Sequence, residues 1–419
     1  MKPLAHTPNY AVHSATLVTL GPQARKTTGF ASVTDEDLGV VSGGGVVVAD
    51  GRIEAAGSRA QCADALREVA SRAGSQFEEV NAAGRVLMPG LVDAHTHALF
   101  AGDRVADFEA LAAGETPPLG IRYTVEQTRK CDLDGLVVLG ARHLAIMLSH
   151  GTTTAEMKSG YTLTAQGEAL MLRAMAALDA RDDLPHVVPT FCGAHALPPE
   201  FRDYDAFVEE LCERILPRVA DLGIAKFADA FCETNYFTPE QSRRFLQACA
   251  QRGMRLRLHA DELSGSGGGA LAAELGCTSA DHLNFIGNGG ARRLAAAGTI
   301  AVLCPATTEY LDLERWAPAR MLIDNGVPVA LATDFNPGTS PCCSLQTVAH
   351  LARRRLKLSA AETIAGVTTQ AARSLGLEGR AGALLPGYRA DLALFEFSDF
   401  RHFGYYYGTN GLESVAIGV

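Results

Sequence analysis

His95 and His97 stand two residues apart at the end of an apolar run, in Pro89-Gly90-Leu91-Val92-Asp93-Ala94-His95-Thr96-His97. In extended backbone, side chains at i and i+2 share a face, so both imidazoles can reach one point from one strand end. Neutral imidazole is a common metal ligand, and two on a rigid strand make half of a tetrahedral site. A bare His-x-His is a weak sign, because two polar residues after a buried strand read the same way. Its meaning depends on further ligands elsewhere, and the chain supplies them. Met254-Arg255-Leu256-Arg257-Leu258 runs into His259-Ala260-Asp261-Glu262, another run ends at Asp281-His282, and Val327 to Ala332 leads into Thr333-Asp334-Phe335-Asn336-Pro337-Gly338. Any one of these histidines could be a satisfied core residue. Several at matching strand ends, spread along the chain, are hard to explain that way.

These ends need a scaffold that gathers them. Strand-like segments end near His97, Lys158, His195, Glu233, His259, His282, Thr307 and Asp334, with helical patterns between most of them. From Asp205 to Leu222, residues Phe207, Leu211, Ile215 and Val219 recur at helical spacing. Pro239-Glu240-Gln241 opens another helix and Gly253 ends it. Eight such repeats predict a (β/α)8 barrel, whose active site lies at the C-terminal strand ends. A doubly wound sheet is the competing arrangement, but no Gly-x-Gly-x-x-Gly follows a strand. Gly265-Ser266-Gly267-Gly268-Gly269 lacks the Lys-Ser/Thr of a phosphate loop and is expected to be a flexible loop. Residues 22–45 and 71–76 are expected to be surface loops. Asp50-Gly51 between β-prone runs predicts a hairpin. The two chain ends are expected to build a small β-sandwich domain, residues 1–87 with 385–419, around a barrel of 88–384.

Composition narrows the function. The chain has 419 residues, 47% hydrophobic and 20% charged, an ordinary globular profile. Its net charge of −10 argues against nucleic acid or an anionic membrane as a partner. No segment approaches the ~20 apolar residues of a membrane span, and no signal peptide is evident. None of the ten cysteines falls in a Cys-x-x-Cys pair, which argues against a zinc ribbon and for a reducing cytoplasm.

The residues together resemble the amidohydrolase superfamily, whose pattern is His-x-His after the first barrel strand, a His after the fifth, a His after the sixth and an Asp after the eighth. Within it, the chain is similar to the imidazolonepropionase family from about residue 44 to its end. The stretches that carry this similarity include Phe100 to Arg104, Ser149 to Tyr161, Gly193 to Glu200, His259 to Glu262, Ser279 to Leu283 and Ala332 to Gly338. The resemblance implies hydrolysis of 4-imidazolone-5-propanoate to N-formimidoyl-L-glutamate, in a homodimer. It also implies one Zn2+ or Fe2+/Fe3+ per subunit, held by His95, His97, His259 and Asp334. Nitrogen and carboxylate ligands suit either metal, and a bound ion would activate water. Tyr161, His195, Asn336, Gly338 and Thr339 would line the substrate pocket.

Proton transfer then falls to Asp334, with His282 polarising the carbonyl and Glu262 donating to the ring nitrogen. The propionate tail calls for a cation, and Arg104 has the planar fork that pairs with a carboxylate. Asn336 could present a donor and an acceptor to the ring amide. Lys226 begins its strand, the wrong end to bridge two metals, and Lys158 is expected to pair with Glu156 or stand beside the site. One departure is visible: Thr116-Pro117-Pro118-Leu119 replaces a usually glycine-rich stretch, and prolines stiffen it. Tyr123 and Arg129 lie beyond it, near enough in sequence to reach the pocket. Tyr405-Tyr406-Tyr407-Gly408-Thr409-Asn410 is expected to pack. A deaminase of a cyclic amidine such as guanine would share the ligands with little use for Arg104. An inactive scaffold would have lost ligands, and a plain metal-binding protein would not need Arg104, Glu262 and Asn336.

Overall fold

Short, fully buried segments such as Ile300–Leu303 and Val329–Leu331 read as apolar runs because the strands of a covered parallel sheet are buried on both faces. The computed structural model describes residues 2–418. Its central feature is a ring of parallel strands: β1 Leu91–Asp93, β2 Thr152–Lys158, β3 His186–Ala194, β4 Phe227–Cys232, β5 Arg255–Ala260, β6 Ser279–His282, β7 Ile300–Leu303 and β8 Val329–Leu331, paired in that order. Between β8 and β1 the ring closes through the ligand-bearing segments themselves. The Asp334 N–H donates to the His95 carbonyl and the His97 N–H to the Phe335 carbonyl, each at 3.0 Å. Just below, the Asp93 carboxylate accepts from the Thr333 N–H at 3.0 Å and hydroxyl at 2.6 Å. The first and last strand ends are thus tied together, although about 240 residues separate them.

Both chain ends build a separate eight-stranded sheet, from Lys2–Pro3, Asn9–Val18, Val40–Ala49, Arg52–Gly57, Phe77–Asn81, Val86–Pro89, Leu392–Phe395 and Leu412–Ala416. Tyr10 and Val12 face one core with Leu87 and Leu392, whereas the alternate Ala11 faces Cys62 and Val69 of the helix Arg59–Ala73. The predicted hairpin is present, with Asp50 at φ 49° and Gly51 at φ 73°, the two positive values of a type I′ turn.

Four expectations change. Residues 40–45 belong to a strand, and 71–73 finish the helix Arg59–Ala73, so these stretches are only partly loop. The seventh strand ends at Leu303, because Pro305 opens the short helix Pro305–Tyr310 that carries Thr307. The helix over 205–222 is interrupted by a π turn, Leu211–Ile215. Pro217 follows directly and lacks the N–H that would continue the regular ladder. Finally, the glycine loop at 265–269 is fastened rather than flexible: the Asp261 carboxylate accepts the N–H groups of Gly267, Gly268 and Gly269 at 2.8–3.2 Å and so caps the helix Gly268–Glu274. No helix among the described residues is long and apolar enough to cross a membrane.

Candidate functional site

At the top of the barrel, four potential ligand atoms from three strand ends converge. The Nε2 atoms of His97 and His259 lie 3.2 Å apart. The Asp334 Oδ1 lies 3.5 Å from the His95 Nε2 and 3.6 Å from the His97 Nε2. A tetrahedral ion with bonds of about 2.0–2.1 Å separates its ligand atoms by about 3.3–3.4 Å, so the donor set fits one ion. The His95 Nε2 is buried and has no hydrogen-bond partner. Its other nitrogen, Nδ1, lies 2.6 Å from the Asp281 carboxylate, and the His259 Nδ1 lies 3.0 Å from Asp229. The Asp281 carboxylate accepts the His95 Nδ1–H and leaves its Nε2 lone pair aimed at the common point, and Asp229 stands beside the His259 Nδ1. Burial pushes His95 and His97 well below the ordinary imidazole range, which keeps them neutral, the form that binds metal.

The layer under these ligands is an ionic lattice with no exposure to water. Lys158 contacts Asp229 at 2.6 Å and Glu156 at 2.8 Å. Arg257 contacts Glu156 and Asp281 at 3.2 Å each and donates to the Ala94 carbonyl at 2.7 Å. Burial opposes the charge on Lys158, but Asp229 and Glu156 hold it protonated. The carboxylates Glu156, Asp229, Asp281 and Asp334 number four against the two cations Lys158 and Arg257, all buried. With all four ionised, two negative charges remain among these groups, and a divalent cation would balance them. Burial alone pushes Asp334 up to about 6, despite the Thr307 hydroxyl donating to it at 2.7 Å. A cation at the common point would hold it ionised.

Above the ligands lies a cavity of about 190 Å3, lined by His97, Arg104, Tyr161, His195, Glu262, His282, Asp334, Asn336 and Thr339, with Gly120 and Ile121 at its side. The predicted site residues therefore meet here except His95, which lies beneath with the other ligands, and Gly338, which sits directly behind Arg104. Burial raises the Glu262 carboxyl well above its ordinary range, reinforced by Asp334 and Glu233, so it carries a proton. Its turn is held by Glu233, which accepts the Leu263 N–H at 2.8 Å. His282 has a partnerless, buried Nε2, 3.8 Å from Glu262. His195 stacks on His97 at 4.6 Å and 14°, and its Nδ1 lies 3.1 Å from the Gly160 carbonyl. Burial, with His259 beside it, lowers His195 to about 3. Gly160, at φ 103°, makes the turn into Tyr161; a Cβ there would meet the Cys192 carbonyl oxygen at 2.4 Å. His282 and Asp334 have φ of 71° and 52°, and backbone strain of this kind costs about 1 kcal/mol or more per residue and gathers at functional sites.

Several side chains do something other than expected. Asn336 lines the cavity, but its amide is spent on its own turn. Its Nδ2 donates to the Asp334 carbonyl and Thr339 hydroxyl, and its Oδ1 accepts from the N–H groups of Gly338 and Thr339. Arg129 grips Glu200 and the Thr162 carbonyl, which fixes the turn behind Tyr161. Lys226 lies at the opposite mouth of the barrel, which removes it as a ligand. Tyr405, Tyr406 and Tyr407 are exposed, and the segment is tied down by hydrogen bonds of Asn410 to Gln346, Leu412 and the Ser149 carbonyl. Asp229, Asp281 and Arg257 were not singled out from sequence. The available signal was spacing: Arg257 and His259, like Glu156 and Lys158, are two apart on one strand and so share its inner face.

The amidohydrolase family model matches residues 86–410. An imidazolonepropionase of Rubrobacter xylanophilus is 44% identical over 386 residues, covering 90% of this chain and 91% of that one. That of Solibacter usitatus is 40% identical, covering 95% and 94%. Among solved structures, a zinc-complexed atrazine chlorohydrolase from Arthrobacter aurescens superposes with a TM-score of 0.69 at 17% identity, over 97% of this chain and 93% of that one. An Escherichia coli guanine deaminase superposes with a TM-score of 0.68 at 15% identity, over 97% and 98%. The structural neighbours share the fold, and the sequence relatives go further: with its four converging ligands in place, this chain belongs to the amidohydrolase family and, within it, to the imidazolonepropionases.

Proposed function

We propose that the protein hydrolyses the cyclic amide bond of 4-imidazolone-5-propanoate to give N-formimidoyl-L-glutamate. The observation that carries this reading is the joint arrival of three features on one small cavity: a metal-competent ligand set, a buried carboxyl and an arginine. Identity of about 40% to imidazolonepropionases over most of the chain supports it.

His95, His97, His259 and Asp334 would hold one zinc or iron ion, which when bound supplies Lewis acidity and lowers the pKa of water from 15.7 to about 7. Asp334 accepts a proton from the attacking water on Oδ2, the carboxylate oxygen not turned to the ligand histidines, which also accepts the Thr307 hydroxyl. His282 presents its unengaged Nε2 to the oxygen on which negative charge develops. Glu262, protonated and buried, donates to the departing ring nitrogen. Arg104 pairs with the propionate, Tyr161 and His195 wall the ring, and Asn336 with Gly338 and Thr339 frames the turn beneath it. The closed, buried setting strengthens each of these contacts by excluding water.

A homodimer and a cytoplasmic location, the latter consistent with ten free cysteines, complete the reading, as does a composite end domain of 1–87 and 385–419. The deciding assay gives purified protein imidazolonepropanoate and guanine in parallel. Formation of N-formimidoyl-L-glutamate with guanine untouched is expected. Ammonia release from guanine with no ring opening of the propanoate would move the chain to the deaminases.

A further inference from the structure

Arg104 reaches the cavity from the residue before the helix Val105–Ala112, and its side chain is held on two sides. Behind it lies Gly338, where a Cβ would stand 1.8 Å from the Arg104 Nη1 and 2.4 Å from its Cζ. Only glycine leaves room for the guanidinium there. Beside it lies Asp107, which is 1% exposed. Its Oδ2 accepts the Arg104 Nε–H at 2.6 Å and the Gly120 N–H at 3.0 Å, and its Oδ1 accepts the Leu119 N–H at 2.8 Å. Burial opposes the Asp107 charge, yet the Leu119 amide and Arg104 hold its carboxyl below the usual range.

We propose that Asp107 is the positioning residue for the substrate's carboxylate tail: it spends the Nε of Arg104, leaves the Nη groups for the substrate, and ties that arginine to the rim at Leu119 and Gly120. Among the described residues, neither Nη of Arg104 has a hydrogen-bond partner. Two parallel N–H groups held in one plane match a carboxylate bidentately. A free arginine would lose rotamer entropy on binding, and an arginine already fixed by Asp107 loses less. The rim bonds follow directly on Thr116-Pro117-Pro118. A stiff segment suits a rim that is anchored at its end, and Gly120, at φ 61°, makes the turn that aims both amides at Asp107. The inference rests on the reading that the substrate carries a carboxylate, and it concerns specificity for that group, not bond cleavage.

The test uses the metal-replete enzyme, with imidazole-4-propanoate and its neutral amide as calorimetric probes and imidazolonepropanoate for kinetics. Wild type should bind the acid over the amide. The isosteric Asp107→Asn should lose about ten- to hundredfold of that preference and raise KM in step, with kcat within about threefold. Asp107→Glu should recover part of the preference, since it restores the charge. Arg104→Ala should abolish the preference, and adding Asp107→Asn to it should cost nothing further. Metal content and thermal midpoint should stay near wild type in Asp107→Asn. Full acid preference in Asp107→Asn, a loss confined to kcat, or losses that simply add in the double variant would overturn the role of Asp107. Absence of any acid preference in wild type would instead overturn the carboxylate reading beneath it.

Discussion

The barrel is concave at both ends, and the two mouths differ in a way that size does not capture. The floor-side cavity is about 810 Å3 and is ringed by Lys226, Arg252, Arg255 and Arg380. The top cavity is about 190 Å3. At the floor, Arg252, Arg255 and Arg380 are exposed, and water solvates their charge without help from the protein. At the top, imidazoles and carboxylates are buried, several nitrogens lack partners, and two negative charges exceed the local cations. Stripping polar groups of water without pairing them all is costly. Such a cost persists where the missing partners are a ligand and a substrate. Unsatisfied, desolvated, converging groups thus mark the functional mouth, and volume alone would have chosen the other.

Breaking the top should therefore have large effects, and breaking the floor almost none. The largest is expected from His259→Ala: the ion is lost and kcat/KM falls by at least about a thousandfold, checked by metal analysis and turnover on one preparation. Next, Glu262→Gln should keep the ion but lower kcat by about 10²–10⁴. A metal-replete variant with wild-type turnover would remove Glu262 from proton transfer. Asp281→Asn acts one layer down, through the Nδ1 of His95, and should weaken metal affinity about 10–100-fold in a competition with a chelator. The smallest effect belongs to the floor: Lys226→Ala should leave kcat, KM and metal content within about twofold. A large change there would erase the distinction between the mouths.

The same contrast explains what could be read in the sequence. His95 and His97 were legible because strand periodicity puts both on one face, and His259, His282 and Asp334 because each stands at a strand-like end that matches the superfamily's pattern. Asp229 and Asp281 were not, since an acidic residue inside a strand looks like any other until pairing brings it under a histidine. Thr307 was misplaced on a strand, yet it reaches the site from the following helix by donating to Asp334. Asn336 was recognised as part of the site, but its amide turns inward, a choice made by the local turn that composition does not reveal. The helix Arg59–Ala73 escaped notice because only Cys62 and Val69 of its fifteen residues are buried, too few for a clear apolar stripe.

The central claim is that His95, His97, His259 and Asp334 hold one ion on which ring opening depends. It is tested most directly by measuring metal content and imidazolonepropanoate turnover on the same sample through chelation and reconstitution. Activity should rise linearly with zinc or iron and saturate at about one ion per subunit. Full turnover in protein stripped to a few hundredths of an ion per subunit would contradict it.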